Sequence, residues 1–203
     1  MTTFDPMWDK RFADSKYAYG VTPNDFLNQH TKSLNKGNVL TIAEGEGRNA
    51  VFLAKLGFDV TAVDASIEGI KKAQQLADKH QVDLNYIHAD LATFDFGKQQ
   101  WDNIVSIFAP FGRTLRSQIH QKITSSLKPN GIFLIEAYTP EQIKFATGGG
   151  PDLDTMPSKK QLIDELSGLE FSLLSECERS VIEGVYHTGQ ASVVQGIAKR
   201  VIK

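Results

Sequence analysis

The stretch that decides the fold is residues 39–49, which read VLTIAEGEGRN. Its first five residues, Val39 to Ala43, are short and mostly aliphatic, as is typical of a strand buried on both faces. Gly45 and Gly47 follow where the chain turns toward a helix, and glycines at such a turn let the backbone approach a bound ligand at the helix N-terminus. The stretch therefore predicts a strand, a ligand-binding turn and a helix in succession.

Four more runs of the same aliphatic kind follow, at residues 60–63, 84–87, 104–108 and 132–135. Helical patterns lie between several of them. Ser66 is placed as the N-cap of a helix whose apolar residues recur at helical spacing as far as Ala77, and a second such helix runs from Leu115 to Leu127. Repeated alternation of strand and helix predicts right-handed crossovers and an α/β domain with a mostly parallel sheet.

The last third of the chain departs from this alternation. Ser158 and Gln161 form a capping-box pattern for a short helix that ends near Leu166. Two β-rich runs, residues 170–182 and 191–198, follow without a helix between them, which predicts a C-terminal antiparallel hairpin. Residues 139–157 contain Gly-Gly-Gly-Pro at 148–151 and are long for a loop in a compact domain, so we expect a lid or binding loop there.

Composition excludes several classes of protein. The 203 residues are 41% hydrophobic and 23% charged, as in an ordinary globular domain. The formal net charge of -2 gives no positive field for nucleic acid. A single cysteine, Cys177, excludes an internal disulfide and an all-cysteine metal cage. With no signal-peptide core and no membrane-spanning run, we expect a monomeric cytoplasmic protein with no metal, nucleic-acid or membrane partner.

Asp64 indicates what the glycine turn binds. It lies twenty residues after Glu44, at the end of the second predicted strand, where a carboxylate accepts hydrogen bonds from ribose hydroxyls. Strand, turn, helix, strand and acid in this order predict an adenosine-type ligand. Gly45, Gly47 and Ala50 also satisfy the dinucleotide pattern, so spacing alone admits NAD.

Charge separates the two cofactors. The pyrophosphate of a dinucleotide lies over the turn beside Glu44 and Glu46, where like charges about 4 Å apart cost roughly 1 kcal/mol in water and more when desolvated. Arg48 offsets only part of that cost. S-adenosylmethionine brings a sulfonium and an ammonium to the same place, and carboxylates attract both. The turn therefore favours the methyl donor over a nicotinamide dinucleotide.

The chain resembles the class I S-adenosylmethionine-dependent methyltransferases over most of its length. The resembling segments are residues 39–49, Val63-Asp64-Ala65-Ser66, Ala89-Asp90-Leu91, residues 101–105 (WDNIV) and residues 127–132 (LKPNGI). Within that superfamily, residues 8–12 (WDKRF), 17–20 (YAYG), 23–27 (PNDFL) and 45–49 (GEGRN) are similar to the tellurite-resistance and thiopurine methyltransferase-like branch. The first strand departs from the family pattern, because Thr41 and Ala43 stand where the family usually has an acid and a glycine.

This resemblance implies a single domain with a Rossmann-like, doubly wound sheet of seven strands and helices on both faces. Its expected parts are an N-terminal lid segment (1–30), a cofactor-binding core (37–138), a substrate loop (139–157) and a C-terminal helix and hairpin (158–203). The expected contacts to S-adenosyl-L-methionine are Tyr19, Ala43, Glu44, Gly45, Glu46, Gly47, Asn49, Asp64, Ala65, Ser66, Asp90, Leu91 and Phe108.

Each of these contacts has an implied role. Gly45 and Gly47 admit the methionyl part, Asp64 takes the ribose hydroxyls and Asp90 accepts from the adenine amino group. Tyr19 closes over the cofactor. Asp90 also fits a simple turn cap, and Phe108 and Tyr19 also fit ordinary packing.

The acceptor is expected to be a small molecule. Residues 106–111 (SIFAPF) lack the Asn/Asp-Pro-Pro-aromatic pattern of amino-group methyltransferases that act on nucleic acid or protein. A soft acceptor such as a chalcogen oxyanion or a thiolate attacks without losing a proton, so a catalytic base is optional. In the resembled family the sixth strand runs parallel, which brings the turn after it to the cofactor edge. The candidate substrate contacts are Tyr17, Phe111, Arg179 and His187, although His187 also fits an exposed turn.

Two other functions stay open from the sequence. One is an NAD(P)-dependent oxidoreductase of the dinucleotide-binding fold, which the acidic turn disfavours. The other is a non-catalytic protein that binds S-adenosylmethionine as a sensor or scaffold.

Overall fold

The computed structural model describes residues 5–201 of the chain. Seven strands in this part form one sheet. They are β1 (Asn38–Ile42), β2 (Asp59–Asp64), β3 (Asn85–His88), β4 (Trp101–Ile107), β5 (Leu127–Tyr138), β6 (Leu169–Glu183) and β7 (His187–Arg200).

The order of the strands in the sheet is β3-β2-β1-β4-β5-β7-β6. Strands β1 to β5 pair in parallel, whereas β7 runs antiparallel to β5 and to β6. The order reverses beside β1, which has β2 on one side and β4 on the other. In such sheets ligands bind outside the carboxyl ends of the strands at this point. The predicted doubly wound sheet with a C-terminal antiparallel hairpin is confirmed.

Helices flank the sheet: α1 (Met7–Phe12), α2 (Asp25–His30), α3 (Arg48–Lys55), α4 (Ile67–His80), α5 (Arg113–Ser126) and α6 (Lys159–Glu165). Both predicted caps are present. The Ser66 hydroxyl accepts from the amide of Gly69 at the start of α4, and Ser158 and Gln161 form the capping box of α6. Each such cap stabilises its helix by about 1 kcal/mol.

Apolar side chains cover both faces of the sheet, because successive residues of a strand point to opposite sides. Leu40 packs with Ile104 and Phe133 in one cluster. Its neighbour Val39 packs with Leu134 in the other. All five are fully buried, and burial of a side chain of this size contributes about 1.5–3 kcal/mol.

The structure differs from the sequence prediction at both ends of the chain. Helices α1 and α2 are too short to show a periodic pattern, although the Asn24 side chain caps α2 by accepting from the amide of Leu27. The hairpin is longer than expected, because β6 and β7 stay paired as far as Glu183 and His187. Only residues 184–186 form the turn. No helix in residues 5–201 is both long and apolar enough to cross a bilayer.

Candidate active site

A cavity of about 710 Å³ opens at the carboxyl edge of the parallel strands. Its walls come from the glycine turn, the N-terminal segment (residues 5–30), the loop at 139–157 and the tip of the hairpin. The predicted site residues that line it are Tyr19, Ala43, Glu44, Gly45, Glu46, Asn49, Asp64, Ala65, Asp90, Leu91, Phe108, Phe111 and His187. The structure therefore brings most of the predicted cofactor and acceptor contacts together in one space.

The turn after β1 has the backbone that its glycines predict. Gly45 has φ of 62° and Gly47 has φ of 88°, values that glycine adopts without steric cost. Ala43 has φ of 51°, which is unfavourable for a residue with a Cβ atom and coincides with the place where the resembled family has glycine. A Cβ atom at Gly47 would collide with Ala73 and the Tyr86 hydroxyl. Gly47 therefore allows the turn to pack on α4 and does not line the cavity.

Glu44 is bound to the start of α3. One of its carboxylate oxygens accepts from the amides of Asn49 at 3.0 Å and Ala50 at 2.9 Å. These are among the first amides of the helix, which have no partner within it. Burial raises the pKa of Glu44 to about 7, although the helix amides and Arg48 favour the ionised form. Glu44 therefore lines the cavity while serving as the cap of α3.

The carboxylate of Glu46 also has its binding partners within the protein. It is 4% exposed, and one oxygen forms an ion pair with the Lys72 ammonium at 2.5 Å. The other oxygen accepts from the amide of Ala18 at 2.8 Å. One of the two negative charges that the sequence assigns to the turn is thus paired inside the protein, and Glu44 is the carboxylate with no lysine beside it.

Asp64 and Asp90 both line the cavity. The two oxygens of Asp64 accept from the amides of Gly45 and Ser66, both at 2.7 Å, and burial raises the pKa of Asp64. A carboxylate has about four lone-pair positions, so Asp64 retains acceptor capacity for ribose hydroxyls. Asp90 stands beside Leu91, and one of its oxygens accepts from the amide of Ala92 at 2.9 Å. These groups fit an adenosine-containing cofactor.

An aromatic wall, formed by Tyr19, Phe108, Tyr138 and His187, also lines the cavity. The ring of His187 lies 4.4 Å from Tyr19, 4.9 Å from Phe108 and 5.3 Å from Tyr138, measured between ring centres. Phe108 has φ of 50°, and backbone strain in a bulky residue is concentrated at functional sites.

His187 is the first residue of β7 and is 8% exposed. This placement corrects the alternative of an exposed turn residue, because strand pairing continues further than the sequence pattern indicates. Burial, together with the charge of Arg48, lowers the pKa of His187 to about 3. The imidazole is therefore neutral at physiological pH.

Besides Gly47, three predicted contacts lie outside the cavity wall. Tyr17 packs on α4, where its hydroxyl donates to the backbone oxygen of Lys72 at 3.0 Å. Ser66 is used as the cap of α4. Arg179 points to the neighbouring strands and binds both oxygens of Glu136, at 2.8 and 2.7 Å. Direct contact between these side chains and a ligand in the cavity is not supported by this geometry.

Arg179 belongs to a buried charge network that also contains Glu136, Arg48 and Glu183. Arg48 donates to Glu183 at 2.6 Å, and the side-chain amide of Asn24 donates to Glu136 at 2.5 Å and to Glu183 at 2.9 Å. These two cations and two anions balance one another, and Arg179 also pairs with the exposed Asp25 at 3.4 Å. It connects the start of α3, the N-terminal segment and the hairpin.

Sequence reasoning missed several residues that line the cavity: Trp8, Arg11, Phe12, Arg48 and Tyr138. Arg11 stacks between Trp8, at 5.1 Å from its ring centre, and Tyr186, at 4.5 Å. The position of Tyr138 at the carboxyl end of β5 was a usable signal, because ligands bind at that edge. Nothing in the local pattern distinguishes Arg11 from a solvated surface arginine.

Comparison with known proteins agrees with this geometry. Residues 39–131 match a family model described as a methyltransferase domain. The ubiquinone biosynthesis O-methyltransferase of Rickettsia akari is 27% identical over 119 residues, which are 59% of this chain and 47% of the relative. The chain thus spans about half the length of the curated relatives it matches.

Two solved structures show the same fold over nearly the whole chain. One, from work on the conversion of a disulfide bond into a thioacetal group during echinomycin biosynthesis, has a TM-score of 0.77 at 18% identity and covers 98% of this chain and 90% of that one. TehB from Haemophilus influenzae has a TM-score of 0.70 at 19% identity, over 96% of this chain and 66% of that one. The match to a methyltransferase domain over residues 39–131 implies S-adenosyl-L-methionine as the cofactor, and the two solved structures show that the chain has their fold.

Proposed function

We propose that the protein transfers a methyl group from S-adenosylmethionine to a small, soft acceptor, either a chalcogen oxyanion such as tellurite or a thiol. The observation that carries this proposal is that one cavity of about 710 Å³ is lined both by the glycine turn and by the aromatic wall. Pockets of this size enclose small molecules. The bound cofactor supplies an activated methyl group whose leaving group needs no protonation.

The acceptor side offers no efficient general base among the described residues. His187 is neutral, but with a pKa of about 3 it accepts a proton weakly. Burial raises the pKa of Tyr138, which keeps its hydroxyl protonated. Glu44 has a pKa of about 7, but one of its oxygens is bound by two amides of α3 and the residue belongs to the glycine turn, where we place the cofactor. An oxyanion, or a thiol that is already ionised to its thiolate, attacks through a lone pair without giving a proton to the protein, and such a nucleophile suits this site.

Three buried polar atoms favour an acceptor that carries oxygen. Arg48 Nη1, the Tyr138 hydroxyl and His187 Nδ1 have no hydrogen-bond partner within the described residues, and all three residues line the cavity. Buried polar groups are normally satisfied. An anionic oxygen of the acceptor would take hydrogen bonds from the guanidinium and the phenol, which favours the oxyanion over a simple thiol.

The residues of the chain then have two tasks. The aromatic wall and the N-terminal segment exclude water from the cavity, and the polar atoms of Arg48 and Tyr138 orient the acceptor toward the methyl group. Alignment of this kind accounts for much of the rate in a displacement reaction. We further propose that the protein acts as a monomer in the cytoplasm, without a nucleic-acid or membrane partner.

The test is transfer of tritium from methyl-labelled S-adenosylmethionine to a panel that contains tellurite, selenite, aromatic and aliphatic thiols, and a phenol. The phenol is included because the curated relatives are named O-methyltransferases. We expect methylated chalcogen or thiol products. The soft-acceptor proposal would be contradicted if tritium appears in the phenol alone. It would also be contradicted if the protein binds the cofactor but labels no acceptor.

A matched pair of variants tests the polar atoms. Tyr138→Phe removes only a hydroxyl, and we expect it to lower kcat/KM for an oxyanion acceptor about tenfold, equivalent to about 1.4 kcal/mol. Tyr86→Phe is the control, because the Tyr86 hydroxyl is also buried without a partner in the described chain but faces the turn near Gly47. Equal effects of the two variants would remove Tyr138 from acceptor binding.

A further inference from the structure

Lys72, in helix α4, binds the backbone of the N-terminal segment. The residue is 9% exposed, and its ammonium donates to the backbone oxygens of Asp14 at 2.8 Å and Lys16 at 2.6 Å. The same ammonium lies 4.7 Å from the centre of the Tyr17 ring. Asp14 and Lys16 are exposed, so the buried lysine fixes a part of the segment that has little packing of its own.

Glu46 connects this lysine to the cofactor turn. Its ion pair with Lys72 spans 2.5 Å. Its second oxygen accepts from the amides of Ala18 at 2.8 Å and Tyr19 at 3.4 Å. The carboxylate thus binds the backbone immediately before and at the tyrosine whose ring lies against His187 in the aromatic wall.

The hairpin holds the other side of the same backbone. The amide of Val185 donates to the Ala18 oxygen at 2.9 Å. A Cβ atom at Gly184 would collide with the backbone of Ala18 and Tyr19. Residues 18 and 19 are therefore fixed between the cofactor turn and the hairpin. On the side of the turn, the contact is made by Glu46, which pairs with Lys72.

We propose that Lys72 and Glu46 are positioning residues that hold Tyr19 and the N-terminal segment closed over the cavity, and that this pair sets how long the cofactor stays bound. The inference rests on the proposed function for the cofactor but not for the acceptor. Glu46 then acts on the cofactor through the segment that it holds.

The geometry separates this role from simple packing. Two carbonyl groups and one carboxylate converge on one ammonium, and breaking a buried ion pair leaves a charge that is costly to bury. Opening of the segment has to break these contacts together, because the same two side chains hold residues 14, 16, 18 and 19. Weakening the ion pair between Lys72 and Glu46 should therefore increase the opening of the N-terminal segment as one unit.

Two variants weaken the pair with little change in shape. Lys72→Met keeps the apolar stem and removes the charge. Glu46→Gln keeps an oxygen for the amide of Ala18 and removes the ion pair. Lys128→Met is the control, because Lys128 pairs with Asp102 at 2.8 Å at the start of β4, on the opposite edge of the sheet.

Two measurements on the full-length protein report on the segment. Acrylamide quenching without cofactor reports on Trp8, because Trp8 lies in α1 whereas Trp101 is buried in the core. Stopped-flow measurement gives the dissociation rate of S-adenosylmethionine. We expect both variants to increase Trp8 quenching and to raise the dissociation rate about tenfold, as loss of a buried charge pair suggests, while Lys128→Met leaves both unchanged.

A purely structural role predicts something different. A lower melting temperature with unchanged Trp8 quenching and dissociation rate in the two variants would overturn the proposal. If Lys72→Met does not fold, Glu46→Gln alone decides between the outcomes. If the wild-type protein does not bind S-adenosylmethionine, the proposed function fails, but the quenching comparison still tests whether the pair holds the segment closed.

Discussion

Removal of the charge of Glu183 tests whether the buried network stabilises the hairpin and the start of α3 together. Glu183 accepts from Arg48 at 2.6 Å, from Asn24 at 2.9 Å and from Arg179 at 3.2 Å. Burial alone would raise the pKa of Glu183, but Arg48 and Arg179 outweigh it and hold that pKa below its usual value. The carboxylate is therefore ionised in the folded protein.

Glu183→Gln leaves two guanidinium groups with Glu136 as the only buried counter-charge in the network, beside the exposed Asp25 that pairs with Arg179 at 3.4 Å. The side chains of the Arg48 pair are 8% and 3% exposed, and breaking a buried pair by removing one partner costs about 3–5 kcal/mol. We expect a loss of this size in the free energy of unfolding at pH 7, measured by urea denaturation. Double substitution with Arg48→Met should recover about 2 kcal/mol, because it restores neutrality.

An exposed pair of similar length provides the control. Lys160 and Asp164 are 2.8 Å apart, but their side chains are 84% and 62% exposed. Asp164→Asn should change the free energy of unfolding far less than Glu183→Gln, because solvent screens an exposed pair. If Glu183→Gln costs no more than this control, or if the double variant is no more stable than the single one, the reasoning from burial is refuted.

Three further predictions follow from individual site residues. Asp64→Ala should weaken S-adenosylmethionine binding about tenfold, or about 1.4 kcal/mol, as measured by calorimetry. The control Asp59→Ala, at the exposed start of β2, should leave the affinity unchanged. If the two variants bind the cofactor equally well, Asp64 does not belong to the ribose site. His187→Ala should lower turnover and leave cofactor affinity intact, and normal turnover in the variant would remove His187 from the site. Because the pKa of His187 is about 3, the pH profile of the wild-type rate should show no titration of this histidine near pH 6.5. The pKa of Glu44 is raised from 4.5 to about 7, so its own contribution to the free energy of unfolding should fall by about 3 kcal/mol as pH rises from about 4.5 through 7. The lowered pKa of His187 increases stability over the same pH range, so the contribution of Glu44 is measured as the difference between the pH profiles of the wild type and Glu44→Gln. Identical profiles in pH-dependent denaturation would contradict the raised pKa of Glu44.

The sequence was sufficient for the sheet and its cofactor edge, because these depend on local patterns. Aliphatic runs such as residues 39–43 and the caps at Ser66 and Ser158 specify strand and helix through short-range chemistry, and parallel strands have one standard handedness of connection. Gly45 and Asp64 were placed correctly in the cavity for the same reason. The order of strand, turn and acid fixes them at one edge of any such sheet.

Only the tertiary structure decided how the charges of the site are used. The sequence presents Glu44 and Glu46 as equivalent acids, but one caps α3 and the other pairs with Lys72. Partners of this kind come from distant segments, and no local pattern records them. The sequence places His187 in the hairpin turn, whereas the structure places it at the start of β7, where it is buried. Its burial depends on contacts with residues far apart in the chain, and this burial lowers its pKa.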